Sequence, residues 1–192
     1  MTFIDMVRAN LRPGMCVAEV GVWTGETSAH WVPIVSRVGG TAILVDNFMG
    51  NPTTSNGPHT YSGKLRDDVR TFMRERIEAW NSIGKYAKLL EGDSIEMVQR
   101  VPDQSIDICF IDADHRYSKV SEDIKVWKLK VAQNGILCGH DCDGFDYDER
   151  YIEMDFMDGK HHGVIKAVNE QSERVIRIGE TCWIMRVDHA QT

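Results

Sequence analysis

Strand-like and helix-like segments alternate along almost the whole 192-residue chain. No other feature restricts the fold as much, because repeated strand–helix–strand units close into a parallel sheet covered by helices on both faces. Met15 to Val20, Thr41 to Val45, Ala87 to Leu90, Ile106 to Ile111 and Gly135 to Cys138 are short apolar runs without polar alternation, as expected of strands buried on both faces. Between the second and third runs, Leu65, Val69, Phe72, Met73, Ile77 and Trp80 recur at helical spacing, with charged residues largely filling the opposite face. Val120, Ile124 and Trp127 mark a second such stripe, and Val164, Ala167 and Val168 a third. The end differs: Val175 to Ile178 and Thr181 to Val187 are strand-like runs joined by Gly179-Glu180, a turn that joins antiparallel neighbours. The expectation is an α/β doubly wound sheet, mostly parallel, with one antiparallel strand near the C-terminus, in a single domain spanning 1–192.

Composition narrows the partners. With 42% hydrophobic and 27% charged residues the chain can bury one sizeable core. A net charge of −7 with scattered basic residues provides no source for counterion-release binding, so no nucleic acid is expected. No window approaches the roughly 18 apolar residues of a membrane span, and Thr2, Asp5 and the amphipathic Ile4-Met6-Val7-Leu11 pattern do not read as a signal peptide. A cytoplasmic protein is expected, with no membrane partner. The five cysteines form no Cys-x-x-Cys pair and read as reduced thiols. Cys138-Gly-His140-Asp-Cys142 does not have the spacing of structural zinc sites.

Phe48 to Ser62 and Cys142 to His162 carry no helical or strand periodicity. Each follows the C-terminal end of a strand, the edge at which open α/β sheets bind ligands, so both are expected to act as substrate lids.

The first strand runs into Glu19-Val-Gly21-Val-Trp23-Thr-Gly25. Glycines at 21 and 25 suit a tight turn against a ligand, but Trp23 and Glu26 break the Gly-x-Gly-x-x-Gly pattern that seats a dinucleotide pyrophosphate. An acidic Glu19 beside the turn suits a cationic ligand. Asp46 ends the second strand about 27 residues later, where a carboxylate can accept both hydroxyls of a ribose. Gly92-Asp93-Ser94 follows the third strand, with Asp93 either facing a base or capping the next helix. Asp112 leaves the fourth strand and Asp141 the fifth, neighbours in a parallel sheet, so their carboxylates can converge.

In these motifs the chain resembles the class I S-adenosylmethionine-dependent methyltransferases, and within them the group labelled methyltransferase domain 24. The matching stretches are Ala18-Glu-Val-Gly-Val-Trp-Thr-Gly25, Ile108-Cys-Phe-Ile-Asp-Ala-Asp-His-Arg-Tyr117, Gly135-Ile-Leu-Cys-Gly-His-Asp141 and Gly163-Val-Ile-Lys-Ala-Val168. The resemblance implies a Rossmann-like seven-stranded fold. It also implies S-adenosyl-L-methionine held by Glu19, Gly21, Trp23, Gly25, Asp46, Asn47, Asp93, Ser94 and Asp112, and methylation of a hydroxyl on a small molecule or sugar. Related metal-dependent O-methyltransferases hold a divalent metal at the places of Asp112, His140 and Asp141. Hard oxygen ligands favour Mg²⁺, but imidazole is a poor Mg²⁺ ligand, so His140 departs from the pattern. It is open at this point whether His140 is the base, ligates a softer divalent metal, or orients Asp141. Asp112, His140 and His115 are the expected catalytic residues, His115 being a second base by its ordinary pKa.

Two other function classes compete: an adenosyl-ligand binder without methyl transfer, and a nucleotide-dependent oxidoreductase. The present Asp112, Asp141 and neighbouring histidines argue against the first, and the glycine pattern and final hairpin against the second. Ile111-Asp-Ala-Asp114 stands where base methylases place an Asn/Asp-Pro-Pro-aromatic clamp. Since dimers are the commonest assembly, a homodimer is the default expectation.

Overall fold

The computed structural model describes residues 2–50, 63–82, 84, 86–171, 174–179 and 181–189. Helix α1 (Phe3–Ala9) starts at a capping box in which the Thr2 hydroxyl accepts from the Asp5 amide and the Asp5 carboxylate accepts from the Thr2 amide. Then follow β1 (Cys16–Val20), α2 (Glu26–Ser36), β2 (Thr41–Asp46), α3 (Gly63–Trp80), β3 (Ala87–Glu91) and the short α4 (Ser94–Met97), continued by a 3₁₀ turn over Val98–Arg100. The second half runs β4 (Ile106–Ile111), α5 (Tyr117–Lys128), β5 (Val131–Gly139), α6 (His162–Asn169), β6 (Val175–Ile178) and β7 (Cys182–Arg186).

The strands form one seven-stranded sheet in the order β3-β2-β1-β4-β5-β7-β6. The first five in sequence are parallel, and β7 runs antiparallel to both β5 and β6. The mostly parallel sheet with one reversed strand thus matches the sequence reading. Strand β5 is longer than its apolar run suggests. Ile106 pairs with Val131 but Ile108 with Ile136, so the polar stretch around Asn134 forms an irregular lead-in with Asn134 at φ 62°.

The period-two geometry of each strand divides the core. Val20, Val45, Ile111 and Leu137 face α4, α5 and α6. Val17, Leu44, Phe110 and Cys138 face the opposite layer, built from Phe3 and Val7 of α1, Trp31 and Val35 of α2, and Met73 of α3. Glu19 shares the parity of Val17 and is therefore turned under α2. Among the described residues no helix is long and apolar enough to cross a membrane.

Register brings the functional residues to one edge. Val20 stands opposite both Val45 and Ile111, Ile111 opposite Gly139, and Asp46 opposite Glu91. The residues that follow, Gly21, Asp112, His140 and Gly92, therefore leave the sheet at nearly the same level as Asp46. At Gly21 the chain turns with φ +88°, and a Cβ there would lie 2.1 Å from the Asp112 carbonyl oxygen. Gly21→Ala is expected to lower stability by about 3 kcal/mol, combining a left-handed backbone with a clash against main chain, as read by urea denaturation.

Candidate active site

The edge opens into a cleft of about 700 Å³. Glu19, Asp46, Asp93, Asp112, His140 and Asp141 all line it, as do Gly21, Trp23, Asn47, Ser94 and His115. Gly25 does not. It caps α2 at φ +70°, with the Met73 sulfur 2.7 Å from where a Cβ would sit.

Glu19 is 1% exposed. Its Oε2 accepts from the Ser28 hydroxyl at 2.7 Å and from the Trp31 indole N–H at 2.6 Å, both on α2. Burial pushes its pKa up to about 8, only partly offset by these bonds, so the side chain holds its proton near neutrality. Asp46 is engaged by the glycine turn itself: Oδ2 accepts from the amides of Val22 and Trp23 at 2.8 and 2.7 Å, and Oδ1 from Phe48 at 2.6 Å. A carboxylate offers about four lone-pair directions, so a ribose would share Asp46 with the turn rather than take both oxygens outright. Asp93 caps α4 by accepting from the Ile95 amide and also faces the cleft. The Ser94 hydroxyl donates to Asp123 on α5, a cleft residue whose burial raises its pKa to about 7.

At the other end of the cleft, carboxylates and imidazoles interleave around Asp141. This residue holds a left-handed backbone, φ 58°. Its Oδ1 meets His140 Nδ1 at 2.9 Å and its Oδ2 meets His115 Nε2 at 3.0 Å. Burial works against ionisation of Asp141, but its bonds to His115 and His140 hold its pKa well below the usual carboxylate range. Asp112, partly buried beside it, moves the other way, to about 6, through desolvation and the repulsion of Asp141. His140 is 40% exposed, and its Nε2 lies 2.8 Å from the Thr181 hydroxyl. Its pKa is raised, chiefly by the bond to Asp141.

His115 differs from its sequence-based expectation. Its Nδ1 meets Asp155 at 2.6 Å while Nε2 meets Asp141. Although burial alone would lower its pKa, these two carboxylates hold it at about 10. An imidazole with a carboxylate oxygen within 3.0 Å of each nitrogen retains its proton at neutral pH and is poorly suited to act as a base in this state.

The segment from Cys142 to His162, expected to act as a lid, supplies Asp155 and His161 to the wall of the cleft, with Asp143 behind His161. The His161 ring packs 4.4 Å from that of His115, with its Nδ1 2.6 Å from Asp143. His162, next in sequence, faces inward: its Nδ1 accepts from the Asp148 amide at 3.0 Å and its Nε2 lies 3.1 Å from the Met157 carbonyl oxygen. Gly163 allows this docking, since a Cβ there would lie 2.3 Å from the His115 carbonyl oxygen. Asp143, Asp155 and His161 escape sequence reasoning because the segment has no periodicity; its density of Asp and His was the available signal. Of the other expected lid, residues 51–62 lie outside the described residues.

Among the described residues, two donor sets converge tightly enough to hold a metal ion, each with its ligand atoms within 4.8 Å of one another. One is Asp112, His140 and Asp141, the set implied by the family resemblance. Its two carboxylates suit a hard cation, while both nitrogens of His140 are already in hydrogen bonds. The other is His115, Asp141 and His161.

Comparison with known proteins places this architecture. A family model described as "Methyltransferase domain" matches residues 18–142. Among solved structures, the O-methyltransferase NovP superposes with a TM-score of 0.64 at 19% identity, over 97% of this chain and 76% of that one. A methyltransferase from Podospora anserina, PaMTH1, solved with S-adenosylhomocysteine bound, gives 0.64 at 14% identity, over 96% and 76%. The carbon methyltransferase CurJ gives 0.58 at 13%, over 96% of this chain and 52% of that one. No curated protein sequence matches the chain. With the family model covering most of the sheet and both glycine-turn and Asp112 edges, the chain belongs to the methyltransferase-domain family, on the fold of the S-adenosylmethionine-dependent methyltransferases.

Proposed function

We propose that the protein transfers a methyl group from S-adenosylmethionine to a hydroxyl oxygen of a small polar molecule or sugar. The observation that carries this reading is the placement of His140, open to the cleft and oriented by Asp141, in the same cleft as Glu19, Asp46 and Asp93. When bound, the cofactor supplies an electrophilic methyl group on a sulfonium that is a good leaving group. The chain has to grip a cation, hold an acceptor oxygen in line and take its proton.

Glu19 serves the first need. Its carboxyl is held neutral by burial in the free protein, and a neighbouring positive charge favours the ionised form. Asp46 and Asp93 line the part of the cleft suited to the ribose and base. His140 serves the last need: with Nδ1–H donated to Asp141, Nε2 carries the lone pair, and the Thr181 hydroxyl at 2.8 Å already occupies the kind of position an acceptor hydroxyl would take. The proton passes from that hydroxyl to His140 Nε2 as the new carbon–oxygen bond forms. Asp112 and Asp141 could also hold a divalent ion, which when bound would lower the pKa of the acceptor hydroxyl. The cleft volume falls in the range of small-molecule sites, and the carboxylates around His140 favour an uncharged acceptor over an anionic one.

Three outcomes are expected. In isothermal titration S-adenosylhomocysteine and S-adenosylmethionine bind and NAD does not; NAD binding without response to either sulfur ligand would overturn the reading. With methyl-labelled cofactor and a panel of hydroxyl-bearing sugars and phenols, label appears in a base-stable ether. His140→Gln then lowers kcat by roughly 10²- to 10⁴-fold at nearly unchanged S-adenosylhomocysteine affinity; label on nitrogen or carbon would refute O-methylation. The third concerns Glu19. Because its folded pKa is raised, the stability it contributes is fully present below about 4.5 and is lost as pH rises through about 8. Glu19→Gln is therefore expected to gain melting temperature relative to the parent protein as pH rises from about 4.5 to about 8, with little further gain above that. Cofactor binding to the parent releases a proton near pH 7, measured by calorimetry in buffers of different ionisation enthalpy. Equal proton release from Glu19→Gln would show that Glu19 is not the group involved.

A further inference from the structure

We infer that His115, Asp141 and His161 form a binding site for a single divalent transition-metal ion, a site the chain carries independently of whether its acceptor is a hydroxyl. One donor atom from each of the three lies within 4.8 Å of the others. His115 Nε2 and Asp141 Oδ2 are 3.0 Å apart, about the separation of adjacent ligands around an ion bound at roughly 2.0–2.1 Å. Two imidazoles and one carboxylate select zinc, iron, cobalt or nickel over magnesium, because nitrogen donors suit the borderline cations and a hard cation demands oxygen.

The surroundings of the two imidazoles carry the argument beyond proximity. Nδ1 of His115 meets Asp155 at 2.6 Å while its Nε2 faces Asp141, and Nδ1 of His161 lies 2.6 Å from Asp143 and 3.8 Å from Asp141. A histidine that ligates a metal almost always has a carboxylate, carbonyl or water on its other ring nitrogen, which fixes the ring and increases its basicity. Asp155 is buried, so it is placed to do this for His115 without strong competition from water, while Asp143 adds a partly buried carboxylate beside the His161 nitrogen nearest Asp141.

The three ligands also come from elements that are already fixed. His115 lies in the turn before α5, pressed by Gly163; Asp141 follows β5 in its left-handed conformation; His161 precedes α6, its amide donating to Asp143 at 2.9 Å. The site is built before any ion arrives, which favours affinity. Three protein ligands leave coordination positions open toward the cleft, as in reactive rather than structural metal sites. His140 stays outside this set, which leaves it available for proton transfer.

The test uses the full chain, stripped with chelator and titrated with Zn²⁺, Co²⁺ and Mg²⁺ by calorimetry, with Co²⁺ also followed by its visible absorption. Zn²⁺ and Co²⁺ are expected to bind one per chain, and Mg²⁺ at least 100-fold more weakly. His161→Ala and His115→Ala should each weaken Co²⁺ binding tenfold or more, and Asp155→Asn by roughly 10- to 100-fold. His140→Ala should leave it within about threefold. Circular dichroism and S-adenosylhomocysteine binding report folding; if His115→Ala is unfolded, His161→Gln and Asp155→Asn decide. The inference is overturned by absence of transition-metal binding to the parent chain, or by binding that is lost in His140→Ala and kept in His161→Ala. Either result with intact S-adenosylhomocysteine binding leaves the methyltransferase reading standing, whereas metal binding without S-adenosylhomocysteine binding removes that reading and keeps the site.

Discussion

Gathering carboxylates at one sheet edge is electrostatically costly, and the way this chain meets that cost shapes everything around the cleft. Asp112, Asp141, Asp143 and Asp155 lie close together with restricted access to water. Like charges in such surroundings cannot all ionise at no cost. The structure answers with imidazoles: His115 and His140 touch Asp141 directly, and His161 faces Asp143. The result is an uneven sharing of protons, in which Asp141 stays ionised, Asp112 is lifted and His115 keeps its charge. At the opposite end the solution is different, since among the described residues Glu19 is met by the Ser28 hydroxyl and the Trp31 indole under α2 rather than by a cation.

Much of this was visible in the residues before any coordinates. The apolar runs without alternation are the strands of a sheet covered on both faces, and the tight link before Thr181 marks the reversed β7. Parallel register then makes a one-dimensional fact, that Gly21, Asp46, Asp112 and His140 each sit at the end of a run, into a three-dimensional one. What stayed hidden has specific causes. Asp123 reads as a solvated helix position, and nothing local signals that α4 brings Ser94 against it. His161 and Asp155 belong to a segment held by individual side-chain bonds, such as His162 to the Asp148 amide, which leave no period to detect. The state of His115 is not legible locally, because an ordinary imidazole pKa says nothing of two carboxylate neighbours 40 and 26 residues away in sequence.

The fold neighbours divide the problem usefully. Superposition on an O-methyltransferase and on a carbon methyltransferase at similar low identity shows that the sheet is compatible with more than one acceptor chemistry. Acceptor chemistry is then a matter of the side chains at the end of the cleft rather than of the sheet. There this chain carries the His140–Asp141–Thr181 arrangement and the histidines beside Asp143 and Asp155, all on connections following β4 and β5 or in the final hairpin.

The amides that Asp46 receives from Val22, Trp23 and Phe48 have a kinetic implication. A glycine-containing turn would ordinarily fluctuate among many shapes and have to be captured by its ligand. Here a neighbouring strand end already clamps it, so the entropy of ordering it is lost during folding. Ligand arrival then resembles docking onto a finished surface, and departure of the spent nucleoside need not wait for the turn to unravel.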